Sequence, residues 1–178
     1  AMTIMRKIFY ICLLALTFVA CGNGNKKVYR PSEFPKSQEF SSYSFAIPYS
    51  QLNNSINVRI RLNGGPQFDG IWDSGCSVPL KISSLEAAAL VKSGTLSGSD
   101  YQSDLILTVA NGQKLKCEVY MLKSISFVDN DGVEHSLSNI PAVIDDNAGT
   151  DILIGLPVMQ ALGYSYEISQ YEQLIYFK

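Results

Sequence analysis

Residues 56 to 77 read INVRIRLNGGPQFDGIWDSGCS, and the fold is decided there. Ile56, Val58, Ile60 and Leu62 alternate with Asn57, Arg59, Arg61 and Asn63. A period of two is the mark of a strand with one buried face. Gly64-Gly65-Pro66 turns the chain, and residues 67 to 72 return as a second strand. That strand is apolar at its end and runs straight into Asp73, followed by Ser74, Gly75, Cys76 and Ser77. A carboxylate is therefore expected on a tight loop at the end of a buried strand. Gly75 lets the backbone turn closely, and Ser74 and Ser77 bring hydroxyls able to hold the carboxylate. On its own, Asp-Ser-Gly equally marks an ordinary turn.

The same alternation continues toward the C-terminus. Leu105 to Val109 reads as a strand. Ala110-Asn111-Gly112-Gln113 follows, and Asn-Gly is a strong hairpin signal. Leu115, Cys117, Val119 and Met121 alternate with polar residues. A further strand at 124 to 128 meets a second hairpin turn at Asn130-Asp131-Gly132. Strands are expected at 140 to 144, 152 to 154, 164 to 169 and 173 to 177. Two helices interrupt them. Ser83 and Glu86 form a capping box ahead of AAALVK, with Gly94 beyond its end. Pro157 suits the first turn of a helix over VMQAL, and Gly163 suits a left-handed C-terminal position. The class is all-β, a closed or nearly closed barrel with two short helices.

In this order the segments resemble the retropepsin-like aspartic proteases. Their signature is a hydrophobic strand, then Asp-Thr/Ser-Gly-Ala-Ser/Thr, matched by Phe68 to Ser77. INVRIRLNGGPQF matches the entry strands, ISSLEAAALVK the following helix, and LTVANGQKLKCEV a flap hairpin. Ile152-Leu153-Ile154-Gly155-Leu156, PVMQALG and YSYEISQYEQLIYF match the family's apolar-Gly segment, short helix and closing strands. The resemblance spans residues 50 to 178. Cys76 stands where the family has a small Ala, and Trp72 where it has a smaller apolar residue.

What the resemblance implies is specific. The fold is a closed barrel with one or two short helices and a flap, and the protein dimerises. The activity is aspartic endopeptidase, with Asp73, Ser74 and Gly75 as the catalytic motif. Ala110, Asn111 and Gly112 close over an extended peptide or protein substrate. Two carboxylates must flank one water and share a proton, because like charges that close do not both ionise. This chain has a single such motif, so the pair comes from Asp73 of two copies in a symmetric homodimer. No cofactor is implied. A second reading makes the same fold a catalytically silent peptide-binding or assembly module on a membrane-anchored lipoprotein, since fold does not fix function.

Outside this domain, residues 8 to 20 (IFYICLLALTFVA) form an uncharged block of 13 after Arg6 and Lys7. The block is too short for a spanning helix, which needs about 20 apolar residues. A basic start, a short apolar run and a small residue make a secretory signal. Phe18-Val19-Ala20-Cys21 resembles a bacterial lipobox, with Phe18 in place of the usual Leu, and this implies lipidation at Cys21. An exported bacterial lipoprotein is expected, held by its lipid on a membrane, facing the periplasm or the cell surface. Residues 1–20 are then the signal, 21–50 the lipidated Cys and a flexible tether with room for an edge strand, and 51–178 the domain. Loss of Arg6 and Lys7 takes the net charge of the 178-residue chain from −2 to −4. Neither value offers the basic excess of a nucleic-acid binder. Cys76 and Cys117 have no zinc-ligand spacing. Export permits a disulfide between them, and two half-buried thiols fit as well.

Three other features could carry chemistry. Cys76 with His135 resembles a thiol–imidazole pair, but His135 stands in a polar stretch beside a turn and is expected to be solvated. Asp145, Asp146, Asn147 and Asp151 offer oxygen ligands without EF-hand spacing, so a solvated loop is expected. The tyrosines between 164 and 176 are expected to serve packing at a closing strand rather than a ligand stripe.

Overall fold

Alternation at 56 to 62 becomes a strand whose inward side chains vanish from solvent. Val58, Ile60 and Leu62 are buried, while Arg59 on the other face is exposed. The structure, a computed structural model, describes residues 43–108, 114–146 and 149–178. Tyr43–Leu107 and Lys116–Lys178 form one compact unit. Thr108 and Lys114–Leu115 fall to a second unit, and there they have strand backbone.

The chain runs through β1 (Phe45–Leu52), β2 (Ser55–Leu62), β3 (Gln67–Asp73), β4 (Leu80–Ser83) and α1 (Ser84–Lys92). A single 3₁₀ turn, Gly98–Asp100, leads to β5 (Tyr101–Thr108), β6 (Lys114–Val128) and β7 (Glu134–Asp145). β8 (Ile152–Gly155), α2 (Leu156–Leu162), β9 (Tyr166–Ser169) and β10 (Leu174–Phe177) complete it. The sheet order is β5-β6-β7-β4-β8-β3-β2-β1-β10-β9, and β6 also pairs with β2. That extra pairing, Ile60 opposite Phe127, closes a ring of β2, β3, β8, β4, β7 and β6. Within the ring, closure leaves no strand at an open edge; β5 and β9 remain the outer strands of the sheet. The expected closed barrel is therefore present, with two helices.

The core fills the ring with Ile60, Leu62, Leu80, Ile82, Leu122, Ile125, Phe127 and Ile154, each at most 1% exposed. Helix α1 begins as its capping box dictates. Ser83 Oγ accepts from Leu85 N at 3.2 Å, and Glu86 Oε2 accepts from Ser83 N at 2.8 Å. Gly94 ends it in the left-handed region at φ +71°. The turn at Asn130-Asp131-Gly132 forms as expected, with Gly132 at φ +82°. Among the described residues no helix is long and apolar enough to cross a membrane.

Four expectations need correction. Residues 115 to 121 and 124 to 128 are one strand, β6, because Asn63 Oδ1 accepts from Lys123 N (2.7 Å) and Ser124 N (3.2 Å) and bridges the expected break. β7 starts at Glu134 rather than 140, since it pairs with β6 from Val128 back to Glu118. The strand foreseen at the end of the tether, β1, is no edge: it pairs with both β10 and β2. Gly163 is extended, at φ −174°, not left-handed. Glycine is needed there because a Cβ would lie 2.6 Å from Lys178 O.

Candidate active site

Trp72 and Asp73 show how the barrel presents a carboxylate. Side chains alternate along β3, so Trp72 turns inward and is 8% exposed, and Asp73, next in line, does not. Trp72 meets Phe127, Tyr166 and Phe177 edge-on, with ring centroids 5.7 to 6.4 Å apart. This apolar anchor fixes the end of the strand, and Asp73 is the last residue with ladder partners.

β3 runs parallel to β8, with Trp72 opposite Ile154 and Asp73 opposite Gly155. β4 then flanks β8 on its other side, antiparallel. The loop after Asp73 must therefore pass over the end of β8 to reach β4. Gly155 makes that passage possible. A Cβ there would stand 1.8 Å from Val78 O and 2.8 Å from Cys76 O, so no side chain fits. Backbone bonds pin the loop: Leu156 N donates to Cys76 O and Gly155 N to Pro79 O, both at 3.0 Å.

Within the loop, Cys76 N donates to Asp73 O at 3.1 Å, a four-residue turn. Gly75 N donates to Asp73 Oδ1 at 2.9 Å. Gly75 is not in the left-handed region; a Cβ there would approach that same oxygen to 3.2 Å. Glycine thus keeps the donor open to the carboxylate. Among the described residues neither Ser74 nor Ser77 bonds Asp73: the backbone N–H of Gly75 has the role foreseen for a hydroxyl. Ser74 and Gly75 are exposed and Asp73 is half-buried, so the carboxylate is accessible. Ala110, Asn111 and Gly112 lie outside the described residues, as do Cys21 and the whole signal region.

Cys76 is half-buried behind this loop, its Sγ donating to Val78 O at 3.6 Å. Burial pushes its thiol pKa up, the Val78 bond opposes this, and the Asp73 carboxylate adds to the rise. Such a thiol is a poor nucleophile. Cys76 and Cys117 are not joined in a disulfide.

His135 is not the solvated residue expected. Its side chain is 27% exposed, its Nε2 lies 2.7 Å from Asp129 Oδ2, and its ring stacks on Phe45 at 3.9 Å. Cys76 and His135 thus have separate partners, and the structure does not bring them together. Asp129 is a residue that sequence reasoning missed. Its Oδ1 also accepts from Asp131 N (2.9 Å) and Val133 N (2.8 Å). The only hint was an Asp two residues ahead of Asp131-Gly132, where side chains often bond the turn backbone.

Of the acidic loop, Asp145 pairs with Lys81 at 3.4 Å, and Asn147 lies outside the described residues. Among the described residues no group of three or more acidic, Cys or His side chains is placed to hold a metal ion. Of the tyrosines, Tyr166 packs on the core, while Tyr164 and Tyr171 are 87% and 98% exposed.

No protein-family model and no curated protein sequence matches the chain. Among solved structures it is similar to the crystal structure of a retropepsin-like aspartic protease from Rickettsia conorii. The TM-score is 0.53 at 14% identity, over 76% of this chain and 95% of that one. At that identity the likeness is one of fold. The closed six-stranded barrel with its two helices matches a retropepsin-like fold.

Proposed function

We propose that this chain is an aspartic endopeptidase in which Asp73 of two copies share one active site. One observation carries the reading. An accessible carboxylate ends a buried strand, on a loop locked by Gly75 and Gly155, in a fold of aspartic-protease type.

Chemistry sets the need for two copies. One ionised carboxylate takes a proton from a water, whose oxygen attacks the peptide carbonyl carbon. The other carboxyl, protonated, gives its proton to the carbonyl oxygen as the tetrahedral diol forms. Collapse of the diol breaks the C–N bond, and the amine leaves with a proton from the dyad. The pair titrates as a unit. Gly75 holds the Asp73 carboxylate through its N–H, Ser74 stands exposed beside it, and the segment of Ala110, Asn111 and Gly112 closes over the substrate. Removal of residues 1–20 and lipidation at Cys21 place the domain, which takes in β1 from Phe45, on a membrane at the periplasm or cell surface.

The test is hydrolysis of an unfolded protein at mildly acid pH. Asp73→Asn is expected to lower kcat by about 10³-fold, the range for a lost acid–base group, with unchanged stability. Mixing inactive Asp73→Asn into wild type should lower activity as the square of the wild-type fraction. A linear fall overturns the shared site, and equal activity of the two proteins overturns the enzyme.

A further inference from the structure

We infer that Asn63-Gly64 is a modification site that the folded chain holds shut and the unfolded chain opens, a chemical mark of molecules that have lost their structure. The pair forms the tip of the turn between β2 and β3. Asn63 and Gly64 have φ of +53° and +66°, the two left-handed positions of a tight hairpin turn. Gly65 N closes that turn on Leu62 O at 2.9 Å.

The chemistry needs only the chain and water. Gly64 N bonds to Asn63 Cγ and gives up its proton. The Cγ–Nδ2 bond breaks, and Nδ2 leaves with that proton as ammonia. The product is a five-membered succinimide. Water adds to one of its two carbonyls and opens the ring. What remains is aspartate, or isoaspartate with the backbone routed through Cβ and Cγ. Glycine hinders the attack least, because it has no Cβ.

Burial does not protect the pair. Gly64 is exposed, and a Cβ on it would meet no atom within 4 Å among the described residues. Hydrogen bonds protect it instead. Asn63 Oδ1 accepts from Lys123 N at 2.7 Å and Ser124 N at 3.2 Å, and Nδ2 donates to Thr95 O at 2.8 Å. The amide is therefore fixed at both ends, between β6 and the loop after α1. Its carbon cannot turn to meet Gly64 N without giving up these bonds. Unfolding removes them together. Either product has lost Nδ2, the donor to Thr95 O, and isoaspartate also adds a carbon to the backbone of the turn. A marked chain no longer rebuilds the full set of bonds, so unfolding becomes irreversible by modification. This inference uses no atom of the Asp73 loop and stands apart from the proposed hydrolysis.

Peptide mapping by mass spectrometry tests it on the full chain at neutral pH, held in buffer or in guanidinium chloride. The second Asn-Gly of the sequence, Asn111-Gly112, is followed in the same unfolded sample as a reference for the chemistry. In denaturant Asn63 should convert as fast as Asn111. In buffer it should convert about 100-fold more slowly than in denaturant, which is what three hydrogen bonds of ordinary worth amount to. Conversion of Asn63 at one rate in both overturns the lock. No conversion in denaturant while Asn111 converts overturns the site. Lys123→Pro removes one donor to Oδ1 and should speed conversion in buffer about fivefold. An unchanged rate in that variant, with the Trp72 fluorescence of the folded wild type, overturns the role of the bonds. Chains aged in denaturant and then diluted should regain less of that fluorescence the longer they are aged, and Asn63→Gly should not show this decline. An equal decline in Asn63→Gly overturns the mark.

Discussion

Gly155 and Val78 lie so close that a Cβ on Gly155 would stand 1.8 Å from the Val78 carbonyl oxygen. The end of β8 and the loop after Asp73 thus share space that only glycine leaves. Gly155→Ala must push the loop away and lose the bonds of Cys76 O and Pro79 O to Leu156 and Gly155. Overpacking of this kind costs about 1–3 kcal/mol. Urea unfolding should fall in that range, and any hydrolysis should fall further than stability, because Asp73 moves with the loop. A variant as stable and active as wild type would show that the two segments do not meet.

Asn63 makes the second prediction. Its Oδ1 accepts from Lys123 N and Ser124 N, and its Nδ2 donates to Thr95 O at 2.8 Å. It also holds φ +53°, a conformation Asn tolerates better than most residues. Asn63→Ala removes the bonds and strains the backbone, for a loss of about 2–3 kcal/mol. Asn63→Gly relieves the strain only and should lie between the two. If thermal unfolding ranks glycine below alanine, the backbone argument fails.

Much of this architecture was legible in the chain. Period-two alternation gave β2, the turn dipeptides gave the hairpins, and Ser83 with Glu86 gave the start of α1, because each signal is local. The closing pair β2–β6 and the parallel pairs β3–β8 and β4–β7 were not legible. They join residues far apart in sequence, and no turn chemistry marks them. The same holds for the site. Asp73 on its loop was read from neighbouring letters. The demand for Gly155 was not, since it arises where a distant strand passes beneath the loop. Asp129 and Asn63 were missed for a like reason: most of their partners are backbone groups, which no particular residue type marks.

Trp72, the chain's single tryptophan, carries the third prediction. It is packed among Phe127, Tyr166 and Phe177, and its Nε1 is buried with no hydrogen-bond partner among the described residues. Trp72→Ala empties the packed centre, at about 3–5 kcal/mol. Trp72→Phe keeps an aromatic ring and removes the unsatisfied donor, so the gain offsets much of the lost area and the net cost should be about 1 kcal/mol. Denaturant midpoints at equal m-values check the contrast. Equal losses for both would place a hydrogen-bond partner on Nε1.

Asp129 fixes the fourth, on acid stability. The His135 bond, with the backbone N–H groups of Val133 and Asp131, holds its carboxyl below the usual carboxylate range. A folded pKa below the unfolded one contributes stability that is present above the unfolded value, about 3.9, and is lost as pH falls through the folded value. The loss therefore belongs below about pH 4. Asp129→Asn should raise the midpoint of acid unfolding by roughly half a pH unit and flatten the stability slope there. His135→Phe, which keeps the stack on Phe45, should shift the midpoint the same way. An unchanged acid midpoint in both variants would rule out this link as a contributor.

The last prediction uses Cys76 as a sensor of Asp73. Burial raises the Cys76 thiol first, and the Asp73 charge raises it further. A raised pKa means less thiolate at neutral pH, hence slow alkylation, and a rate that climbs as pH rises. Iodoacetamide at pH 7.5, followed by peptide mapping to separate Cys76 from the other cysteines, should modify it about tenfold or more slowly than a free thiol. Asp73→Asn removes the neighbouring negative charge while leaving an oxygen for the Gly75 N–H. Cys76 should then react faster wherever its thiol is still largely protonated, with its rate–pH curve displaced to lower pH. A slower or unmoved curve would mean that the Asp73 charge does not reach the thiol, and that Cys76 is shielded by packing alone.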